Sequence, residues 1–207
     1  FLKKLGSKIK VKKRKIFIGG VKKIKKITYK VMFDRIELGT YIIAAAIAGK
    51  KISFNNIDIS IINTELRILK KMGIKFKINK NKISVFGTKS IKKINLKTEP
   101  YPGFPTDLQA QIMVMMTQAN GISKIEENIF ENRFMHVPEL KRMGAKIKIK
   151  KNTALIEGPT QLSGAEVMAT DLRASVSLVL AGLIADNRTI INRIYHLDRG
   201  YNNLEKK

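Results

Sequence analysis

Apolar residues and lysine alternate twice along this chain, over Ile74-Lys75-Phe76-Lys77-Ile78 and again over Ala145-Lys146-Ile147-Lys148-Ile149-Lys150. A period of two sends successive side chains to opposite faces, so each stretch predicts a half-buried strand whose outer face is lysine. Each follows a short helical run ended by glycine. Three such runs occur: Phe1-Leu2-Lys3-Lys4-Leu5-Gly6, Leu66-Arg67-Ile68-Leu69-Lys70-Lys71-Met72-Gly73 and Glu139-Leu140-Lys141-Arg142-Met143-Gly144. Each leads on to a second strand ending in glycine, at Lys15-Ile16-Phe17-Ile18-Gly19, Ile83-Ser84-Val85-Phe86-Gly87 and Ala154-Leu155-Ile156-Glu157-Gly158. Gly6, Gly73 and Gly144 lie about seventy residues apart, and self-similarity at a fixed spacing speaks to architecture. The pattern predicts a short helix closed by a left-handed glycine, then a hairpin turned by polar pairs such as Lys80-Asn81 and Asn152-Thr153. Pro138 suits a first helical turn, where a missing N–H costs nothing.

A second block recurs between these runs, over 34–57, 106–129 and 170–194: a longer helix, then one strand. Its helices are apolar almost all round, as in Ile42-Ile43-Ala44-Ala45-Ala46-Ile47 and Ser177-Leu178-Val179-Leu180-Ala181, which predicts burial inside a domain. The expected fold class is therefore α/β (α+β): repeated helix–strand–helix–hairpin units around a pseudo-threefold axis, with sheets outside and the long helices in the centre. Met113, Met115 and Met116 are expected in that core. The last copy stops before its glycine and hairpin, and the first resembles a tail whose long helix lies upstream. Residues 1–25 are accordingly expected to be the tail of a preceding domain, and 26–207 a C-terminal domain cut short at its end. With Phe1 rather than Met at the start and no leader-like run, a fragment is expected.

Composition supports a globular chain, 44% apolar and 7% aromatic. The absence of cysteine excludes disulfides, thiolate zinc sites and thiol nucleophiles within these residues. The longest largely apolar run, 176–185, is about half of what spanning a bilayer needs, so no membrane association is expected. A formal charge of +25 invites a nucleic-acid reading. Against it, the charge is lysine on alternating strand positions, arginine is scarce, and no aromatic signature interleaves with the basic residues. Solvated strand faces explain the charge, with a non-specific pull on polyanions as its by-product.

Chemistry-bearing residues gather at helix starts and turns. They fall in Phe33-Asp34-Arg35-Ile36-Glu37, Pro105-Thr106-Asp107-Leu108-Gln109, Phe130-Glu131-Asn132-Arg133-Phe134, Asp171-Leu172-Arg173-Ala174-Ser175 and Asp198-Arg199-Gly200-Tyr201. Thr106 to Gln109 has the form of a capping box, so Asp107 reads either as a helix start or as a carboxylate with chemistry to do. Arg133, Arg173 and Arg199 are three of nine arginines; their planar forks suit carboxylate and phosphate, and surface salt bridges are the plain alternative. His136 and His196 have no neighbouring ligands and are expected to be structural. Ile18-Gly19-Gly20-Val21 lacks the rest of any phosphate-loop pattern.

Taken together, the stretches Pro105-Thr106-Asp107, Glu131-Asn132-Arg133-Phe134, Asp171-Leu172-Arg173-Ala174-Ser175 and Asp198-Arg199-Gly200-Tyr201 resemble, in order and spacing, the signatures of the UDP-N-acetylglucosamine enolpyruvyl transferase family. The resemblance runs the length of the chain. It implies an inside-out α/β barrel with buried central helices. The implied reaction is transfer of the enolpyruvyl group of phosphoenolpyruvate to the 3-hydroxyl of UDP-N-acetylglucosamine, the opening step of peptidoglycan synthesis, in the cytoplasm and without cofactor or metal. By the same carry-over, Asp107 takes the hydroxyl proton, Arg199 contacts phosphoenolpyruvate, and Arg133 and Arg173 stabilise charge. Asp171 organises the site, the Ile129 backbone contacts the UDP-sugar, and Asp34 is a further acidic position. The family's cleft also needs an N-terminal half, with a loop cysteine, a lysine and further arginines, so these 207 residues alone are expected to be inactive. The shikimate-pathway enolpyruvyl transferase and a non-catalytic basic remnant are the alternatives.

Overall fold

In a computed structural model describing residues 1–49 and 51–206, the chain divides into two compact units, Phe1–Phe33 and Asp34–Lys207. The first holds one antiparallel hairpin, β1 (Lys8–Lys12) and β2 (Lys15–Gly19). Within the structure its Ile16, Phe17 and Ile18 are all exposed. A two-stranded ribbon has no second layer of its own to cover an apolar face. Before it, the Gly6 amide bonds the Lys3 carbonyl and the Ser7 amide that of Leu2, with Gly6 at φ +109°.

The second unit repeats one pattern. α1 (Arg35–Ile47) leads to β3 (Lys51–Phe54), then α2 (Asn63–Lys71) and the hairpin β4 (Lys75–Asn79) to β5 (Lys82–Phe86). The next copy begins with two short strands, β6 (Ile91–Lys92) and β7 (Asn95–Lys97). A 3-10 turn, Thr106–Leu108, then runs into α3 (Gln109–Met116), followed by β8 (Ala119–Glu126), α4 (Val137–Arg142), β9 (Lys146–Lys150) and β10 (Thr153–Gly158). The third has β11 (Glu166–Met168), α5 (Leu172–Gly182), β12 (Ile190–Asn192) and α6 (Tyr195–Asp198). Three sheets result: β3-β5-β4, β6-β8-β10-β9 with β7 also on β8, and β11-β12. The opening strands β6, β7 and β11 run parallel to the strand after the long helix, so the second and third copies each contain a parallel crossover through that helix. Two or three residues are too few for an alternation to register, and the sequence reading missed them.

The glycine stops follow from backbone chemistry. After α2, the Gly73 amide bonds the Lys70 carbonyl and the Ile74 amide that of Leu69; after α4, Gly144 bonds Lys141 and Ala145 bonds Leu140. This reciprocal pair satisfies carbonyls the helix leaves open, but it needs a left-handed residue, and Gly73 and Gly144 sit at φ +93° and +96°. Pro138 lies in the first turn of α4.

The lysine-alternating strands β4 and β9 are edge strands, and only Ile147 of their ten residues is buried. Lysine there opposes edge-to-edge pairing with other chains. The inner strands carry the burial instead, through Ile83, Val85, Ala154 and Ile156. In the interior, α3 touches both α1 and α5. All eight residues of α3 are buried, Met113, Met115 and Met116 completely. Each such side chain contributes about 1.5–3 kcal/mol of transfer free energy, which makes α3 the axis on which the unit is built. No helix among the described residues is long and apolar enough to cross a membrane.

Candidate active site

Three aspartates stand at the starts of the long helices, and local hydrogen bonding sends one of them elsewhere. Asp34 and Asp171 are N-caps: Asp34 accepts from the amides of Ile36 and Glu37 at 2.7 and 3.2 Å, and Asp171 from those of Arg173 and Ala174 at 2.7 and 2.9 Å. Asp107 has no such amides to serve. The amide two residues on, that of Gln109, is spent on the Thr106 carbonyl in the 3-10 turn. The Asp107 carboxylate instead faces two arginines, Oδ1 3.0 Å from Arg133 Nη2 and Oδ2 3.2 Å from Arg173 Nη2. The Arg133 guanidinium also lies 5.2 Å from the centre of the Phe130 ring. Each oxygen of one carboxylate thus holds a different cation, and both arginines are largely withdrawn from solvent.

The expected capping box does not form. Pro105, not Thr106, occupies the N-cap position. The Thr106 hydroxyl donates to Glu127 Oε2 at 2.9 Å, and the Gln109 side chain is turned into the core with neither amide atom hydrogen-bonded. A local rule lost to a buried carboxylate twenty-one residues on. Glu127 is 3% exposed; its Oε1 accepts from the Thr98 hydroxyl at 2.8 Å and from the amides of Ile129 and Phe130 at 2.9 and 3.1 Å. The sequence reading passed over it. Strand parity could have found it, because Ser123 and Ile125 point inward and Glu127 continues that series.

Beneath Asp107 lies a second polar cluster. Gln111 Nε2 donates to the Asp107 carbonyl at 2.9 Å and to the Thr40 hydroxyl at 3.2 Å, and Thr40 shares a 2.8 Å hydrogen bond with the Tyr201 hydroxyl. Burial raises the Tyr201 phenol above its ordinary pKa, opposed by its bonds to Thr40 and Gln111 and by the charge of Arg173. These bonds tie α1, α3 and the turn after α6 together under the arginine pair. Close packing does the same: a Cβ on Gly39 would lie 2.6 Å from Leu108 Cδ1, and one on Gly200 2.8 Å from Leu172 Cδ2. Leu108, after Asp107, is seated on a glycine of another copy, and Leu172, after Asp171, on a glycine of its own.

Of the sequence-expected residues, the structure brings Asp107, Arg133 and Arg173 into direct contact. Asp171 caps the helix that carries Arg173. Ile129 sits in the loop between Glu127 and Arg133, its amide engaged by Glu127. Arg199 is exposed at the end of α6 and has no ion pair among the described residues, and Asp34 is exposed at its cap. A cavity of about 830 Å3 opens beside this loop, lined by Ile129, Phe130, Arg133 and Lys151 among others. His136 is buried, its Nε2 3.3 Å from Met113 Sδ. No group of three or more His, Cys, Asp or Glu among the described residues could hold a metal ion.

A UDP-N-acetylglucosamine 1-carboxyvinyltransferase of Pelagibacter ubique is 58% identical over all of this chain, and one of Caldanaerobacter subterraneus subsp. tengcongensis is 51% identical over all of it. In each case the chain spans 50% of the relative's length. Among solved structures, the enolpyruvyl transferase NikO from Streptomyces tendae superposes with a TM-score of 0.90 at 26% identity, over 99% of this chain and 50% of that one. EPSP synthase from Acinetobacter baumannii shares the fold, with a TM-score of 0.74 at 20% identity over 97% of this chain and 50% of that one. Residues 1–207 match the family described as EPSP synthase (3-phosphoshikimate 1-carboxyvinyltransferase). The chain belongs to that family, the enolpyruvyl transferases.

Proposed function

We propose that this chain is the C-terminal half of an enzyme that transfers the enolpyruvyl group of phosphoenolpyruvate to the 3-hydroxyl of UDP-N-acetylglucosamine, in the cytoplasm and at the start of peptidoglycan synthesis. The observation that carries the reading is the Asp107 carboxylate bridged by Arg133 and Arg173 at 3.0 and 3.2 Å. Phosphoenolpyruvate brings a carboxylate and a phosphate, the two anions a guanidinium fork binds best. Its arrival gives Arg133 and Arg173 a second set of acceptors and releases Asp107 to face the sugar hydroxyl. A carboxylate is a weak base for an alcohol, so it accepts the proton only as the new C–O bond forms, in a site that fixes both reactants. Arg199, exposed and without an ion pair among the described residues, is the proposed contact to phosphoenolpyruvate once the cleft is complete. The Ile129 amide is committed to Glu127, so a backbone contact with the sugar falls to its carbonyl. Asp171 acts by capping the helix of Arg173, and Asp34 serves the same capping role for α1.

The chain is half the length of its relatives, so the other half of the cleft belongs to an N-terminal half. Residues 1–25 would be that half's tail and 26–207 the C-terminal domain. Phosphate release from phosphoenolpyruvate plus UDP-N-acetylglucosamine tests both parts. The isolated chain is expected to release none, and the parent protein carrying the upstream half is expected to turn over. In the parent, Asp107→Ala is expected to lower kcat by about 100-fold or more, the usual scale of a lost general base. Turnover by the isolated chain, or an unaltered kcat in the variant, would refute the corresponding part. Relatives at 50–58% identity carry the UDP-sugar name, whereas the EPSP synthase structures are 20% identical, so shikimate 3-phosphate is expected to fail as acceptor.

A further inference from the structure

We infer that Glu127 is a positioning residue that sets the Asp107–Arg133 pair by holding both of its chain segments at once. The inference rests on the reading of that pair as the reacting centre. Glu127 touches neither residue. Its Oε2 takes the hydroxyl of Thr106, the residue directly before Asp107. Its Oε1 takes the amides of Ile129 and Phe130, at the root of the loop that ends in Arg133, and the hydroxyl of Thr98 at the end of β7. Thr98 in turn accepts from the Asn128 amide at 2.9 Å. One carboxylate group is thus the meeting point of three segments distant in sequence.

The chemistry of the knot favours rigidity. A carboxylate accepts on both oxygens and has no donor when ionised, and here four donors converge on it, three on Oε1 and one on Oε2. Charge-assisted bonds of this kind are roughly twice as strong as neutral ones. No cation pairs with Glu127 among the described residues, although burying a charge without a counter-ion is costly. A neutral side chain would fill the same space at lower cost, but none accepts four bonds without presenting a hydrogen of its own. The arrangement makes sense where the two segments must not drift. Phe130 adds to it, since its amide is held by Glu127 while its ring lies against Arg133.

Removing the carboxylate outright orphans four donors and endangers the fold, so the decisive variant is Thr106→Val, which keeps the shape and deletes one bond of the knot. Activity is measured in the parent protein carrying the upstream half, with phosphoenolpyruvate and UDP-N-acetylglucosamine. Thr106→Val is expected to lower kcat about 10- to 100-fold, the scale of a small displacement of a reacting group, with the KM for both substrates unchanged. Thr106→Ser, which restores the hydroxyl, is expected to recover most of the loss. In the same protein, Glu127→Gln is expected to speed hydrogen exchange at the Ile129 and Phe130 amides while leaving the β9–β10 hairpin unchanged. A Thr106→Val enzyme with wild-type kcat, a Ser variant no better than Val, or unaltered exchange at both amides overturns the inference. An inactive wild-type parent overturns the transferase reading itself and this inference with it; an active parent whose Val variant is unaffected overturns this inference alone.

Discussion

The His136 imidazole is 2% exposed, packed against Met113, with Asp171 favouring its charged form and Arg133 opposing it. Burial, reinforced by Arg133, outweighs Asp171 and lowers its pKa from 6.5 to about 4. In the unfolded chain the same ring takes a proton near pH 6.5. Between those values the unfolded state binds a proton that the folded state refuses, so stability falls as pH drops through the window and the loss levels off near pH 4. The full effect corresponds to about 3 kcal/mol, of which about 2 kcal/mol is lost between pH 7 and pH 5. Urea unfolding at those two pH values, for the wild type and His136→Gln, isolates it. The wild type is expected to lose about 2 kcal/mol more than the variant, and equal losses would show that the ring is not held neutral. Sequence reasoning saw a structural histidine here because no ligand stood near it. It had no means of seeing Asp171 and Arg133, which only the packing of α4 brings into play.

Helix starts are fixed in this fold by leucines pressed onto glycines. With a Cβ only 2.6 Å from Leu108 Cδ1, Gly39→Ala overpacks the contact between α1 and the turn that carries Asp107. Leu108 is 1% exposed, so any shift it makes is within the core. The substitution is expected to cost about 1–3 kcal/mol in unfolding free energy. Because the clash needs both side chains, a double-mutant cycle with Leu108→Ala is expected to show coupling of about 1 kcal/mol or more, the double variant being less destabilised than the two single losses together. Additive losses would mean that α1 yields instead. The same scale explains what was legible beforehand. Glycine stops, lysine alternation and all-apolar helices are local and recur, so the repeat and its buried helices could be read from the chain. The parallel strands β6, β7 and β11 could not, being defined by partners rather than by their own pattern. The capping box at Thr106 failed for the same reason: a buried acceptor far along the chain competed for its hydroxyl and won.

At the scale of the whole molecule, the formal charge of +25 is distributed by architecture. Lys75 and Lys77 on β4, and Lys146, Lys148 and Lys150 on β9, are exposed on sheet edges, while Arg133 and Arg173 are turned inward onto Asp107. The two sets therefore answer different questions. The exposed lysines of β4 and β9 form a diffuse cationic surface with no fork geometry, which attracts phosphates by releasing condensed counter-ions. Such binding is indifferent to base sequence and collapses with salt. For about 6–10 contacted phosphates, affinity is expected to fall about 10³- to 10⁵-fold between 50 and 200 mM salt. A fluorescence-anisotropy titration of two unrelated DNA duplexes against this chain measures it, with equal affinities and the same steep slope expected for both. Binding that persisted at high salt, or that distinguished the duplexes, would require base contacts or stacking and would favour a nucleic-acid-binding role. The expected collapse instead leaves the lysines as strand-edge guards, whose effect is read in a different assay: neutralising Lys75, Lys77, Lys146 and Lys148 to Gln should flatten the salt dependence and also promote self-association through β4 and β9, because the charge that repels a second chain at those edges has been removed.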